Sequence, residues 1–320
     1  MYARGLVVGK FYPPHRGHKY LIDTALSQCS EVTILVCGKK QEAIPGELRA
    51  RWLARIHPSA RVILLTEPMP ADDDSMHWAA LTIKVLGFVP DVVFTSEEYG
   101  NAYARFMGSK HVSVDKARIN VPISGTKVRS DPKKYAEFLE PCVRAFFNKR
   151  ICVLGAESTG TTTLARALAK HFDTVWVPEY GRLYSEGKQA AQEPVWRSEE
   201  FVTIAEAQAA LEDALAENAN GILICDTDPF ATTVWHERYM GSRSEAVDKI
   251  AASRTYDLYI LTGDEIPFVQ DGTRDGEHIR NAMHTRFVER LEETGRKYII
   301  VTGSPEERLA QAIGAIKKLV

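Results

Sequence analysis

Two stretches of the chain place phosphate-binding residue types at the junction between an apolar run and a helical pattern. The first is Gly9-Lys10-Phe11-Tyr12-Pro13-Pro14-His15-Arg16-Gly17-His18, which follows Leu6-Val7-Val8 and leads into Lys19–Leu26. Amides at a helix N-terminus and the helix dipole favour an anion. Gly17 lets a phosphate approach the backbone, and His15 and His18 can donate hydrogen bonds to its oxygens. A bare His-x-Gly-His also fits a loop with two incidental histidines; Gly-x-Phe-x-Pro at the preceding strand end favours the site. Its companion is Pro122-Ile123-Ser124-Gly125-Thr126-Lys127-Val128-Arg129. There Ser124 or Thr126 suits a helix cap, and Lys127 and Arg129 put cations at the same anion-binding end.

The second stretch is Gly155-Ala156-Glu157-Ser158-Thr159-Gly160-Thr161-Thr162-Thr163, between the apolar Ile151–Leu154 and the helical Leu164–Leu168. Strand, Gly-x-x-x-x-Gly, helix is the context of a P-loop. Amides from 156 to 162 can wrap a β-phosphate, and the Thr162 hydroxyl falls where the motif's Ser/Thr ligates Mg2+. The motif's lysine position holds Thr161, whose neutral hydrogen bond is weaker than a charge-assisted one. The run Ile222–Cys225 ends in Asp226-Thr227-Asp228, the usual place for a metal-side carboxylate. Trp78 could stack on a cationic ring or anchor a core; the preceding Asp72-Asp73-Asp74 reads as a solvated loop.

Short Val/Ile/Leu runs must position these loops. Leu6–Val8, Val32–Val36, Val62–Leu65, Val92–Phe94 and Val112–Val114 alternate with helical stretches, and the rhythm restarts with Ile151–Leu154, Ile222–Cys225, Leu258–Leu261 and Tyr298–Val301. Such runs read as buried parallel strands, and their alternation with helices implies two open α/β sheets in series. The connector Ser130–Asn148 reads as helical, with Pro141 breaking it, which puts the boundary at 148: one domain over 1–148, another over 149–320. Phe201, Ile204, Leu211 and Leu215 fall at helical spacing and read as a core face.

The 320 residues carry a formal charge of -2. That near-neutrality is a cancellation: residues 1–150 hold 22 Lys+Arg against 15 Asp+Glu, while residues 151–320 hold 18 against 27. The basic residues accompany phosphate motifs and no recognition module is visible, so nucleic-acid binding is not expected. Apolar runs fall short of the ~18–20 residues of a membrane span, and the N-terminus lacks a signal-peptide core. Five scattered cysteines without a Cys-x-x-Cys pair fit neither a disulfide nor a zinc framework. A cytoplasmic enzyme is expected; homo-oligomerisation is left open.

The pair His-x-Gly-His and Ile-Ser-Gly-Thr-Lys-Val-Arg resembles the HIGH-motif nucleotidyltransferases. With Thr95–Gly100 and Val114–Arg118, the likeness extends to the NadR-type bifunctional enzymes, a nicotinamide mononucleotide adenylyltransferase fused to a ribosylnicotinamide kinase, and it covers nearly the whole chain. The resemblance implies an α/β protein in which a Rossmann-like nucleotidyltransferase fold precedes a P-loop kinase-like fold. Because the chain starts at the transferase strand, the helix-turn-helix of some members is expected to be absent. The implied ligands are ATP with Mg2+, nicotinamide mononucleotide, ribosylnicotinamide and NAD. In the transferase, His18 would meet the α-phosphate and His15, Lys127 and Arg129 the β- and γ-phosphates, with Gly9, Lys10, Phe11, Gly17, Ser124 and Thr126 around the nucleotide and Trp78 at the nicotinamide.

In the second domain, Gly155 and Glu157–Thr163 would hold nucleotide, with Thr162 and Asp226 on the metal side. Val175–Arg182 resembles the acceptor segment of nucleoside kinases, so Glu179 is the expected base and Asp228 its rival. Tyr180, Trp235 and Tyr239 could sandwich the pyridinium ring. Asp271–Gly276 resembles the family's lid, from which Arg274, with Arg280 beyond it, could close over the phosphates. Other readings are a different HIGH-motif transferase fused to another nucleoside kinase, and a second domain that senses nucleotide without turning it over.

Overall fold

Each apolar run forms a parallel strand, and each loop that carries a candidate residue leaves the carboxyl end of one. The computed structural model describes residues 1–66, 68–193, 195–270 and 276–319, which fall into two units, Met1–Arg144 and Ala145–Val320. The first unit runs β1 (Tyr2–Gly9), α1 (Arg16–Gln28), β2 (Cys29–Gly38), α2 (Gly46–Ile56), β3 (Arg61–Thr66), α3 (Ser75–Leu86), β4 (Val92–Thr95), α4 (Gly100–Met107), β5 (Lys110–Ser113), α5 (Gly125–Ser130) and α6 (Pro141–Arg144). Its sheet order is β3-β2-β1-β4-β5, with Gly5 in register with Val32 on one side and Val92 on the other. Strand order reverses at β1, and the crevice beyond the carboxyl ends at such a switch is where open α/β sheets bind ligands. Leu6, Val7, Ile34, Leu35, Val93 and Phe94 are fully buried at its centre.

The second unit runs β6 (Lys149–Leu154), α7 (Thr161–His171), β7 (Trp176–Val177), α8 (Tyr180–Ala190), α9 (Ser198–Ala216), β8 (Ile222–Asp226), α10 (Pro229–Met240), α11 (Glu245–Ala252), β9 (Leu258–Thr262), α12 (Arg280–Glu293), β10 (Tyr298–Val301) and α13 (Pro305–Ile316). The order β10-β9-β6-β8-β7 again puts the first strand of the unit at the switch, paired with β8 through Cys152↔Cys225 and Val153↔Asp226. Helix α7 buries Leu164, Ala165, Leu168 and Ala169 against the sheet.

The connector, expected to be helical with a break at Pro141, is divided more finely. It is α5, a 3-10 turn at Ala136–Phe138, α6 and a further 3-10 turn at Ala145–Phe147. Pro141 opens α6 instead of breaking a helix, as its fixed φ and missing amide suit the first turn. The two units meet at 144–145, just ahead of 148, because the last turn of the connector belongs with the second unit.

Candidate active sites

At the end of β1 the chain enters a loop in which Phe11 adopts a left-handed φ of 47° and is buried edge-on to His18, ring centroids 5.0 Å apart. His15 is the N-cap of α1: its Nδ1 accepts from the His18 backbone amide at 3.3 Å. That bond leaves the His15 proton on Nε2. The two imidazoles stack with centroids 3.7 Å apart and 19° between planes. Burial, reinforced by the Arg118 guanidinium, lowers the His15 pKa to about 4. Burial, then His15 and Arg118, pushes His18 well down also. Both rings are therefore neutral donors at pH 7, and the His18 Nδ1 is buried without a partner among the described residues.

Across a cavity of about 720 Å³ stands the second element. Ser124 caps α5 by accepting from the Lys127 amide at 3.3 Å, and Thr126 accepts from the Arg129 Nη2 at 3.3 Å. Arg129 also donates to the Tyr12 carbonyl and lies 4.6 Å over the Tyr12 ring, so the two halves of the site are tied together. Gly125 is required by this closure, since a Cβ there would stand 2.5 Å from the Tyr12 carbonyl oxygen. Gly9, Lys10, Phe11, His15, Gly17, His18, Ser124, Thr126 and Arg129 all line the cavity. Lys127 does not: its Nζ turns back to the Pro122 carbonyl at 3.4 Å. Another cation, Arg118, lines the cavity and pairs with Glu97 at 3.2 Å.

The nicotinamide candidate Trp78 lines the same cavity while packing against the Leu6–Leu35 cluster and donating from Nε1 to the Ala71 carbonyl at 2.9 Å. Trp78 is thus anchored in the core with part of its surface in the cavity wall. The acidic run divides: Asp72 lines the cavity and pairs with Lys10 at 2.8 Å, whereas Asp74 caps α3 by accepting from the His77 amide at 3.0 Å. Tyr99, inside the Thr95–Gly100 segment, also lines the wall, as does Tyr103 of α4, which sequence reasoning passed over; an isolated tyrosine carries no motif signal.

In the second unit the loop 155–160 is drawn tight. A Cβ on Gly155 would stand 2.1 Å from the Thr262 Oγ1 and 2.7 Å from the Thr159 Oγ1, and Gly160 caps α7 with φ +82°. Thr159 fixes the turn by donating to the Ala156 carbonyl at 2.6 Å. Thr162, at the start of α7, donates to the Asp226 Oδ2 at 2.6 Å. Asp226 is buried, its Oδ1 has no partner among the described residues, and burial raises its pKa to about 6. This oxygen pair, one carboxylate and one hydroxyl, fits a hard divalent cation whose remaining ligands are phosphate and water. Among the described residues no group of three or more His, Cys, Asp or Glu is arranged to hold a metal.

A cavity of about 430 Å³ joins Gly155–Ser158 and Gly160–Thr163 to a wall built by α8, α9, α10 and the loops before them. Glu179, Arg182, Trp196, Phe201, Trp235 and Tyr239 line it. Trp196 and Tyr239 stand 5.3 Å apart between centroids at 36°. The face Phe201, Ile204 and Gln208 of α9 is thus both core and wall. Gln208, in the cavity wall, accepts from the Tyr180 amide at 2.9 Å, and its Nε2 is buried with no partner among the described residues.

Three expectations are corrected on this side. Tyr180 is not in the cavity wall, and Trp196 takes its place beside Trp235 and Tyr239. Asp228 is not available as a base: it is fully buried, its Oδ1 accepts from the Ala231 amide at 2.9 Å as the N-cap of α10, and its Oδ2 accepts from the Tyr259 hydroxyl at 2.8 Å. Arg280 is buried and donates to the Ile266 carbonyl at 2.8 Å, away from the cavity wall. Arg274 lies outside the described residues.

An AAA domain family model matches residues 150–308. The trifunctional NAD biosynthesis/regulator protein NadR of Escherichia coli K12 is 31% identical over 324 residues, covering 93% of this chain and 78% of that protein. The protein of the same name from Salmonella typhimurium LT2 is 30% identical over 344 residues, covering 99% and 83%. Among solved structures, a NadR protein in complex with NR superposes with a TM-score of 0.79 over 99% of this chain and 96% of the other, at 22% identity. A NadR protein in complex with NAD and AMP-PNP gives a TM-score of 0.76 at the same coverage and identity. These two structures share the fold of the chain across both units.

Proposed function

The chain belongs to the NadR family of NAD biosynthesis/regulator proteins, and from that premise we propose that its first unit transfers adenylate from ATP to nicotinamide mononucleotide, while its second phosphorylates ribosylnicotinamide. The observation that carries the transferase reading is the stacked, neutral His15–His18 pair facing Ser124, Thr126 and Arg129 across one cavity. A phosphate oxygen of the mononucleotide attacks the α-phosphorus of ATP, the bond to the β-phosphate oxygen breaks, and pyrophosphate leaves. The nucleophile is already anionic at pH 7, so no base is needed, and catalysis rests on positioning and fixed donors. His18 serves the α-phosphate, and His15, Arg129 and Arg118 the β- and γ-phosphates. Trp78 offers its face to the pyridinium ring. Incubation with ATP, Mg2+ and nicotinamide mononucleotide is expected to yield NAD and pyrophosphate; a panel in which only other mononucleotides react would overturn the assignment.

In the second unit the nucleophile is a neutral ribose 5′-hydroxyl, so a base is required. Glu179 lines the cavity beside the acceptor wall and takes that proton as the hydroxyl oxygen bonds to the γ-phosphorus and ADP departs. Mg2+ bound with ATP at Asp226 and Thr162 would neutralise charge on the β- and γ-phosphate oxygens. Gln208 donates to the riboside, and Trp196, Trp235 and Tyr239 flank its ring. Thr161 favours a second reading, a nucleotide sensor without turnover. Wild-type phosphorylation of ribosylnicotinamide at roughly 1–100 per second, with loss in Glu179→Gln, supports the kinase; nucleotide binding without turnover supports the sensor. ATP as the common substrate and five free thiols support a cytoplasmic setting.

A further inference from the structure

With Thr161 in place of the P-loop lysine, the negative charge of the β- and γ-phosphates must be met by other groups. Among the described residues the cavity wall of the second unit contains two cations, Arg166 and Arg182, beside the carboxylates Glu157, Glu179 and Asp226. Three other cations, Arg308, Arg280 and Lys188, stand outside that wall. Arg308 reaches the P-loop from outside the cavity wall, donating to the Thr159 carbonyl at 2.7 Å and the Gly263 carbonyl at 3.0 Å and pairing with Glu265 at 2.6 Å. Arg280 donates to the Ile266 carbonyl and lies 5.7 Å over the Phe268 ring. Lys188 is buried in an ion pair with Glu200 at 2.7 Å.

Arg166 and Arg182 approach the loop from two elements. Arg166 stands four residues after Thr162 on α7, hence on the same helix face as the hydroxyl that holds Asp226, with its guanidinium 4.6 Å over the Trp176 ring. Arg182 stands in the first turn of α8, three residues after Glu179.

The geometry points to Arg166 and Arg182 as the pair that replaces the P-loop lysine, Arg166 on the side of the nucleotide and Arg182 between the γ-phosphate and the acceptor. This assignment rests on the riboside kinase reading above. In the transfer, the ribose 5′ oxygen forms its bond to the γ-phosphorus, the bond from that phosphorus to the β-phosphate oxygen breaks with its electron pair leaving on ADP, and the hydroxyl proton passes to Glu179. The arginines exchange no atoms; they hold the charge on the γ-oxygens and the leaving oxygen. A planar guanidinium serves two phosphate oxygens at once, which a threonine hydroxyl cannot.

The test uses the full chain with ATP, Mg2+ and ribosylnicotinamide, and measures kcat, KM and the affinities for AMP-PNP and AMP in Arg166→Ala, Arg182→Ala, Arg182→Lys and Arg182→Ala combined with Thr161→Lys. Thermal unfolding confirms that each variant is folded, and the lysine variant preserves the aliphatic stem should the alanine variant fold poorly. Arg182→Ala is expected to lose about 100-fold or more in kcat, the size of a lost transition-state donor. Each alanine variant should bind AMP-PNP about tenfold more weakly while AMP affinity is kept. Thr161→Lys should restore most of the lost kcat in the Arg182→Ala background, which a merely structural arginine would not allow. Unchanged kcat and unchanged AMP-PNP affinity in both alanine variants overturns the assignment. If the wild-type chain fails to phosphorylate the riboside while both alanine variants lose AMP-PNP selectively, the kinase reading falls and the arginine assignment stands.

Discussion

His15 uses its two ring nitrogens differently: Nδ1 holds the start of α1, and Nε2 carries the proton of the neutral ring. Its pKa is lowered to about 4 by burial and by Arg118, whereas an unfolded imidazole titrates near 6.5. Between these values the unfolded chain binds more protons than the folded one. The stability due to neutral His15 is therefore complete above roughly pH 6.5 and is lost as pH falls toward about 4. Protonation puts a hydrogen on Nδ1 and removes the acceptor that caps the helix. Asparagine is among the best N-cap residues and does not titrate, so His15→Asn should keep the unfolding temperature at pH 7.5, lose less of it than the wild type at pH 4.5, and make NAD about 100-fold more slowly. Thermal unfolding at the two pH values, with an NAD assay, checks this; equal acid sensitivity would remove the capping role.

Element by element, what could be read from sequence was what a local pattern encodes. The nine apolar runs became strands, and the loops after β1 and β6 fell at the two switch points, because buried parallel strands and phosphate loops are specified by adjacent residues. Direction at an element's end was less legible. Asp226 and Asp228 lie two apart, yet Thr227 between them adopts φ +68°, so the chain turns and one carboxylate faces the cavity while the other caps α10. Lys127 likewise sits in the expected short helix but points back along its own loop. The aspartate division is testable. Asp228→Ala should lower the unfolding temperature, by the ~1 kcal/mol of a lost cap plus the stranded Tyr259 hydroxyl, whereas Asp226→Asn should keep the fold and lose riboside phosphorylation. A stable, inactive Asp228→Ala would return that residue to the chemistry. The loop itself is a backbone constraint: Gly155→Ala, with its Cβ 2.1 Å from Thr262, should weaken AMP-PNP binding at least tenfold by calorimetry.

For the molecule as a whole, the formal charge of -2 divides into a basic 1–150 and an acidic 151–320. A basic surround draws polyphosphates to the transferase, an attraction that salt screens within ~10 Å at 0.1 M. Raising NaCl from about 20 to about 300 mM should therefore raise the transferase KM for ATP several-fold and leave the kinase KM less affected; equal shifts would show that only the first-contact residues matter. The two chemistries are also ordered, since phosphorylated ribosylnicotinamide is the mononucleotide that the first unit consumes. Each unit has its own sheet and its own phosphate loop, so a lesson in one site should leave the other chemistry running. Supplied with ribosylnicotinamide and ATP, His18→Ala is expected to accumulate nicotinamide mononucleotide with NAD reduced about 100-fold. Asp226→Asn should make no NAD from the riboside but a normal amount from the mononucleotide. Chromatographic quantitation of both products decides the point: if His18→Ala also stops riboside phosphorylation, the sites are not independent, and the division of labour between the two sheets is wrong.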